Sequence, residues 1–327
     1  MLNTQKLIYL FITAALSLLL AFSLLGCSDS GTAPPEEEEI EEEPVVEEEE
    51  EEEEEPALVV SRVSPATVVI NNHPSARPQS GLQQASIVYE LLVEGGLTRL
   101  IAVYDTPIED NFLIGPVRSL RTSFADLALE YDGVIAHSGY SQRTADYIRG
   151  MGLKQITSSN YLWRDSSRSA PHNLYTDIEH LYQGADIDLE SIMEEEVIIE
   201  ELPSDNEEGL EIEIAYHSSN RVSYVYDEDE EAYLRFVNDN PQLDRETSKQ
   251  YSAHRVILRQ TSHQPIPGPV GLVDIQLEGE GEGYLYQGGK KYSITWAKSG
   301  NEPTRYYHQN GELVDTRWGN TWIQVVQ

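Results

Sequence analysis

The sequence predicts an α+β protein in which an N-terminal mixed α/β domain is followed by a mainly β C-terminal domain. Short runs of strand formers alternate with helical spacing through the first half of the folded region. The second half carries strand runs joined by Gly-Gly and Asn-Gly turn signals. The two halves also differ in charge. The divisions read from the chain are a leader over 1–26, an acylated cysteine and acidic tether over 27–56, an α/β domain over 57–203 and a β domain over 204–327.

The leader carries Lys6, an uncharged stretch from Leu7 to Leu25, and Gly26 directly before Cys27. A basic start, an apolar centre and a small residue before the cut describe a secretory signal peptide. A cysteine at that point resembles a bacterial lipobox. The resemblance implies cleavage before Cys27 and acylation, palmitate included, of its sulfur and new amino terminus. Cys27 is the only cysteine in the chain, so the mature protein would hold neither a free thiol nor a disulfide. The same stretch is nearly long enough to span a bilayer uncleaved. Either way the folded region is expected outside the cytoplasm, anchored at the cell membrane.

Between Ser28 and Pro56 lie 16 glutamates, as Glu36 to Glu39, Glu41 to Glu43 and Glu47 to Glu55. Such a segment cannot bury enough apolar surface to offset chain entropy, and like charges extend it. It reads as a solvated acidic linker with a reach on the order of 100 Å.

A formal net charge of −35 argues against a nucleic-acid partner. From Ala57 to Ala170, however, ten acids meet ten bases, nine of them arginine, whereas from Pro171 onward 30 acids face 11 bases. Arginine presents a planar fork suited to carboxylates and phosphates, so the first half is where an anionic ligand is expected.

Asn71 to Gly81 is dense in turn formers and reads as a loop. Ser86 to Val93 and Thr98 to Asp105 read as strands of a hairpin turning at Gly95-Gly96. That turn would place Leu92 opposite Arg99, with Glu90 and Glu94 diagonal to it, and a cross-strand ion pair is the plain expectation for Arg99. Gly115-Pro116 then leads through Arg118 and Arg121 into a helix over Ser123 to Tyr131, where Phe124, Leu127, Ala128 and Tyr131 recur at helical spacing and Gly133 supplies the stop. Val134 to His137 reads as a buried strand, Ser138 to Ser141 as a turn, and Gln142 to about Arg149 as a second helix. A further helix is expected near Thr176 to Tyr182.

Two helix starts, one beyond a strand's carboxyl end, offer backbone N–H groups and a positive dipole end. Arg118, Arg121, His137 and Ser138 are therefore candidates to line a pocket for a phosphate, pyrophosphate or carboxylate. The alternative is that both arginines pair with internal acids. Arg77, Arg99, Arg164, His172 and Asn173 complete the candidate ligand-binding set, with His172 read as structural rather than catalytic.

Asn71-Asn72, Ala76 to Gly81, Glu94-Gly95-Gly96 with Thr98-Arg99, Gly115 to Ser119 and Pro171 to Tyr175 together resemble the YerB-like lipoproteins of Gram-positive bacteria. The resemblance covers nearly all of Ala57 to Gln327. It implies a main domain of unknown function and a second, C-terminal domain, and it supplies no reaction.

The second half begins beyond a polar run at Leu202 to Gly209. Val222 to Tyr226, Ala232 to Phe236, Arg255 to Leu258, Gly283 to Tyr286 and Tyr292 to Trp296 read as strands, and Trp318 to Val326 as a closing one. Gly288-Gly289 and Asn310-Gly311 mark turns. Most of the tyrosines and tryptophans are expected in the core.

No Gly-x-Ser-x-Gly, His-Glu-x-x-His, Walker loop or dinucleotide fingerprint is present, and no cofactor is evident. Adjacent His137 and Ser138 would point to opposite faces of a strand, which disfavours a hydrolase built on them. Three functions remain: a binding or regulatory lipoprotein of the cell envelope, acting with a wall component or envelope protein; an enzyme on a pyrophosphate-linked envelope substrate, which would call for a divalent metal near Glu90, Asp105 or Asp165; and a solute-binding lipoprotein. The leader reading predicts that cells fed labelled palmitate label the wild-type protein and not Cys27→Ser. Equal labelling of both would remove the lipid anchor.

Overall fold

The computed structural model describes residues 58–197, 202–268 and 271–327. The leader, Cys27 and the acidic linker lie outside these residues.

The first half opens with β1 (Leu58–Arg62), β2 (Ala66–Asn71), β3 (Ile87–Leu92) and β4 (Thr98–Tyr104). It continues with β5 (Leu113–Ile114), α1 (Thr122–Leu129), β6 (Val134–Ala136), α2 (Gln142–Tyr147) and β7 (Lys154–Ile156). It closes with β8 (Trp163–Arg164), β9 (Leu174–Asp177), α3 (Ile178–Ala185) and β10 (Met193–Val197). Among the described residues the second half contains strands alone. These are β11 (Glu207–Glu208), β12 (Glu211–His217), β13 (Asn220–Asp227), β14 (Ala232–Val237), β15 (Asn240–Pro241) and β16 (Ser252–Ala253). There follow β17 (Arg255–Gln260), β18 (His263–Pro265), β19 (Val273–Ile275), β20 (Gly279–Gln287), β21 (Lys290–Lys298), β22 (Arg305–His308) and β23 (Thr321–Val326). The fold is α+β, with a mixed α/β first half and a mainly β second half.

Both halves contribute to one eleven-stranded sheet, ordered β11-β21-β20-β17-β23-β3-β4-β2-β6-β7 with β22 beside β21. β23 lies between β17 and β3 and is parallel to both. β4 is antiparallel to β3 and β2, while β2, β6 and β7 are mutually parallel. β20 is antiparallel to both β17 and β21, so seven strands, β21 among them, end at one edge of the sheet.

Alternate residues of each central strand feed two cores, as the period of two requires. Val68, Ile70, Val88, Leu100, Ala102 and Trp322 join the core beneath α3 and the five-stranded sheet of β12 to β16. Val69, Tyr89, Leu91, Ile101, Ile323 and Val325 join the opposite core, covered by α1. α1 buries Phe124, Ala125, Leu127 and Ala128. Burial of Phe124 and of Leu127 contributes about 1.5–3 kcal/mol each. Tyr224, Tyr233, Tyr251 and Trp322 are fully buried, as expected of most second-half aromatics.

The hairpin register differs from the expected one. Leu92 pairs with Thr98 and Leu91 with Arg99. The connection is five residues, Val93 to Leu97, closed by the Val93 amide donating to the Leu97 carbonyl at 2.8 Å. Gly95 and Gly96 have φ of 69° and 73° within it. A Cβ on Gly96 would lie 2.7 Å from the His217 ring, so both backbone conformation and contact require glycine. A slip of one residue exchanges faces. Glu90 accordingly lies on the face away from Arg99, beside Thr98.

There Glu90 meets Arg235 of β14. Both side chains are 0% exposed and their charged groups are in direct contact. Glu90 also accepts from Thr98 Oγ1 at 2.5 Å and Asn72 Nδ2 at 3.0 Å. Arg235 donates to Gln242 Oε1 at 2.7 Å and to the Tyr224 hydroxyl, and stacks 4.3 Å from the Trp322 ring centroid. Burial would lower the Arg235 pKa, but the Glu90 carboxylate raises it. On the other face Lys298 and Glu130 lie 3.3 Å apart, again nearly fully buried.

A buried pair is far costlier to break than to replace as a unit. Arg235→Met alone should destabilise by about 3–5 kcal/mol, and adding Glu90→Gln should recover a large part of that loss. Urea unfolding of the two variants checks this, and an additive double variant would show that the charges do not act as a pair.

Candidate functional site

The shared carboxyl edge gathers three loops. β2 ends in Asn71 and runs into Asn72-His73. The extended segment Gly115 to Arg118 takes over beside β2 where β6 stops: the Asn71 amide donates to the Pro116 carbonyl and the Arg118 amide to the Val69 carbonyl, both at 2.8 Å. The loop from Arg164 to Asn173 closes the group. Ser80 and Gly115 exchange backbone bonds at 2.9 and 3.2 Å, and the Val117 amide donates to the Leu174 carbonyl at 2.6 Å. Arg168 donates to the Ala76 and Pro78 carbonyls at 2.8 Å each. Each loop contains one cis X-Pro bond, at Arg77-Pro78, Gly115-Pro116 and Ala170-Pro171. Gly115 lies against the Tyr175 ring, where a Cβ would approach to 2.7 Å.

The helix after Gly115-Pro116 starts at Thr122, one residue before the expected Ser123, and ends at Leu129. Arg121 is the residue before α1, and Arg118 precedes it in the extended segment rather than in a helical turn. The second helix start agrees with the sequence reading, since Ser141 Oγ accepts from the Thr144 amide at 3.2 Å. The expected helix near Thr176 to Tyr182 instead follows β9. Asp177 caps α3 by accepting the His180 amide at 2.8 Å, so the chain stays extended until that cap.

The candidate arginines divide into occupied and free. Arg121 grips Glu94 at 2.5 and 3.1 Å. Arg99 donates to Glu94 at 3.3 Å and to the Ser119 carbonyl at 2.6 Å. Burial opposes the Glu94 charge, but the Arg121 hydrogen bonds and the Arg99 guanidinium outweigh it and lower its pKa to about 2. Burial lowers Arg99 to about 10, helped by Arg121. Arg77 donates to Asn72 Oδ1 at 3.1 Å and its carbonyl at 2.9 Å. Its other side lines a separate cleft of about 340 Å³ with Pro74, Pro78 and Leu243. Arg164 and Asn173 join at 2.7 Å, and Asn173 also ties down the Asp165 and Arg168 carbonyls at 3.2 Å each.

Arg118 is partly buried and has no hydrogen-bond, ion-pair or ring partner among the described residues. Burial and Arg121 lower its pKa, and the Glu94 carboxylate offsets this only in part. His172 lies beside it. Burial, His73, Arg118 and Arg168 all lower the His172 pKa. His172 stacks on His73, centroids 4.8 Å apart and planes 19° apart, and its Nδ1 meets Asn71 Nδ2 at 2.8 Å.

His137 is buried, with Nδ1 3.2 Å from the Gly139 carbonyl and Nε2 3.1 Å from Gln155 Oε1. Burial lowers its pKa. Gly139 can only accept, so the neutral ring donates from Nδ1 and Gln155 must present its amide nitrogen to Nε2. Neither nitrogen reaches Ser138, whose amide donates to the Arg118 carbonyl at 3.0 Å. The two residues form no nucleophile–base pair.

The structure thus brings Arg118, Ser138 and His172 to one edge. It places Arg99, Arg121, Arg164, Asn173 and His137 in the framework behind them, and Arg77 between that framework and its own cleft. Sequence reasoning missed Asn71, His73 and Arg168 as site residues. The Asn-Asn-His-Pro run was a visible signal, but its pairing with a histidine 99 positions later was not.

Comparison with known proteins agrees with the resemblance carried by these motifs. The family model described as Protein of unknown function (DUF3048) N-terminal domain matches residues 50–190, and the corresponding C-terminal domain matches residues 212–323. Putative lipoprotein YerB of Bacillus subtilis (strain 168) is 32% identical over 289 residues, 82% of each chain. The crystal structure of YerB protein from Bacillus subtilis matches with a TM-score of 0.69 at 29% identity, covering 81% of this chain and 91% of that one. Matches to both domain models, and a relative aligned over most of its length, establish that this chain belongs to the DUF3048 family.

Proposed function

We propose that this protein is a lipid-anchored, extracytoplasmic lipoprotein that binds an anionic cell-envelope component at the carboxyl edge of its sheet, in a regulatory role in cell-wall assembly. The name of its Bacillus relative and the Gly26-Cys27 leader support the anchor. No helix among the described residues is long and apolar enough to cross a membrane, and Cys27 lies outside them. The observation that carries the binding role is Arg118, a partly buried guanidinium with no ion pair or hydrogen bond among the described residues, since the carboxylate that acts on it, Glu94, is already held by Arg99 and Arg121. The other arginines of the edge are engaged by Glu94, backbone carbonyls or amides. Leaving one guanidinium desolvated and unpaired is costly, and an incoming anion would offset that cost.

The enzyme reading has less support. Glu90 is held by Arg235, Asp105 by Arg62 and Asp165 by Arg245, so each acid suggested for a metal site is already neutralised by an arginine.

A thermal-shift screen of the full chain in detergent tests the proposal, with pyrophosphate lipid analogues, wall fragments and small anions, each with and without magnesium. A ligand at about 100 times its Kd should add about 2.7 kcal/mol of stability. Arg118→Ala should weaken that ligand about 10- to 100-fold, the worth of a charge-assisted hydrogen bond. Binding unchanged in Arg118→Ala would remove the site.

The affinity should also be nearly flat above neutrality. Burial and the neighbouring His73, Arg118 and Arg168 hold the His172 pKa below the ordinary histidine value of about 6.5, so the neutral ring predominates at pH 7. Titrations at pH 7 and pH 8.5 should give the same Kd within about twofold. A tenfold loss at the higher pH would mean that a histidinium is needed.

A further inference from the structure

We infer that the carboxyl-edge site takes a phosphate-type oxyanion on two imidazole N–H donors and Arg118, with no bridging metal ion. The inference rests on the anion-site reading above and concerns how the two histidines are wired. His73 Nδ1 accepts the Ser75 amide at 3.1 Å. A ring nitrogen that accepts a hydrogen bond carries no hydrogen, so the His73 ring hydrogen is on Nε2. The orientation of Asn71 is settled in the same way. Its Oδ1 accepts the His73 amide at 3.1 Å, which turns Nδ2 toward His172. Nδ2 donates to His172 Nδ1 at 2.8 Å, so the His172 hydrogen is on Nε2 as well. No described residue caps either Nε2, and neither nitrogen is among the buried atoms lacking a partner, so both remain open to solvent.

This wiring excludes one role and suits another. A histidine that ligates a metal offers a bare nitrogen outward and donates its other ring N–H to the protein. Here the protein donates inward to both Nδ1 atoms, and the outward nitrogens carry the hydrogens. A divalent cation would have to break the Ser75 and Asn71 bonds before it could bind. An oxyanion needs no such change. The stacked rings set their donors in two separate planes, and the Arg118 fork adds a third group. A flat carboxylate offers two coplanar oxygens, whereas a phosphate group presents oxygens in three dimensions.

The test uses the full chain in detergent, labelled with ¹⁵N at histidine, and titrated in EDTA with inorganic pyrophosphate, glycerol phosphate, acetate and short-chain soluble phosphatidylglycerol. Both rings should report hydrogen on Nε2, and pyrophosphate should bind unaffected by EDTA. At least one phosphate ligand should bind at least tenfold more tightly than acetate, the tightest of them marking a soluble or a lipid source. His172→Phe, which keeps the stack and removes the donor, should weaken binding about tenfold or more. His172→Gln, which restores an N–H, should recover part of the loss. Hydrogen on Nδ1 of either ring, or Zn²⁺ alone binding at both rings, would overturn the inference, as would acetate binding as tightly as phosphate. In those cases the broader reading stands if Arg118→Ala still weakens anion binding. If neither Arg118→Ala nor His172→Phe has an effect, both fall.

Discussion

The contact between Glu90 and Arg235 is the constraint on which the remaining geometry depends. It joins a strand of the first half to one of the second across 145 residues of sequence. Its satellites reach the site. Asn72 donates to Glu90, Arg77 and Gln79 donate to Asn72 Oδ1, and Gln242 links Arg235 to Gln79 at 2.9 Å. The loop that carries His73 is therefore held from below by a buried polar network rather than by apolar packing. Such a network is directional in a way that a greasy contact is not. A lateral shift of the five-stranded sheet would leave several buried groups unpaired at once, so the network fixes where the halves meet as well as that they meet.

The elements legible in the sequence were those specified by local chemistry. α1 followed from the spacing of Phe124, Leu127 and Ala128, the start of α2 from the turn over Ser138 to Ser141, and β20 and β21 from Gly288-Gly289. What was not legible depended on distant partners. The Gly95-Gly96 signal fits a two-residue turn as well as a five-residue loop, and only the buried environment of Glu90 decides between them. Likewise an arginine count singled out the first half of the chain but could not sort Arg118 from Arg99 and Arg121. The acid that separates them, Glu94, is shared by the latter two.

That sorting bears on how arginine-rich segments are read. Arg235, Arg255 and Arg259 are fully buried, each stacked within about 4.5 Å of a tryptophan ring centroid. They serve as large planar fillers with hydrogen-bonding rims. In a strongly acidic chain, arginine is thus used mostly to satisfy internal carboxylates, carbonyls and aromatic faces. A guanidinium without such a partner is informative because its neighbours are so thoroughly engaged.

The position of β23 has a consequence for inheritance. The strand made last among those described is inserted between β17 and a first-half strand, so neither half can complete the central sheet from its own residues. Two sequence segments that match separate domain models are therefore joined by hydrogen bonds along a shared strand, not by a linker alone. A recombination event that carried off either segment would leave two raw sheet edges, which are templates for aggregation. Physical chemistry alone gives a reason for the two segments to travel through evolution as a pair, in this order, rather than as interchangeable modules.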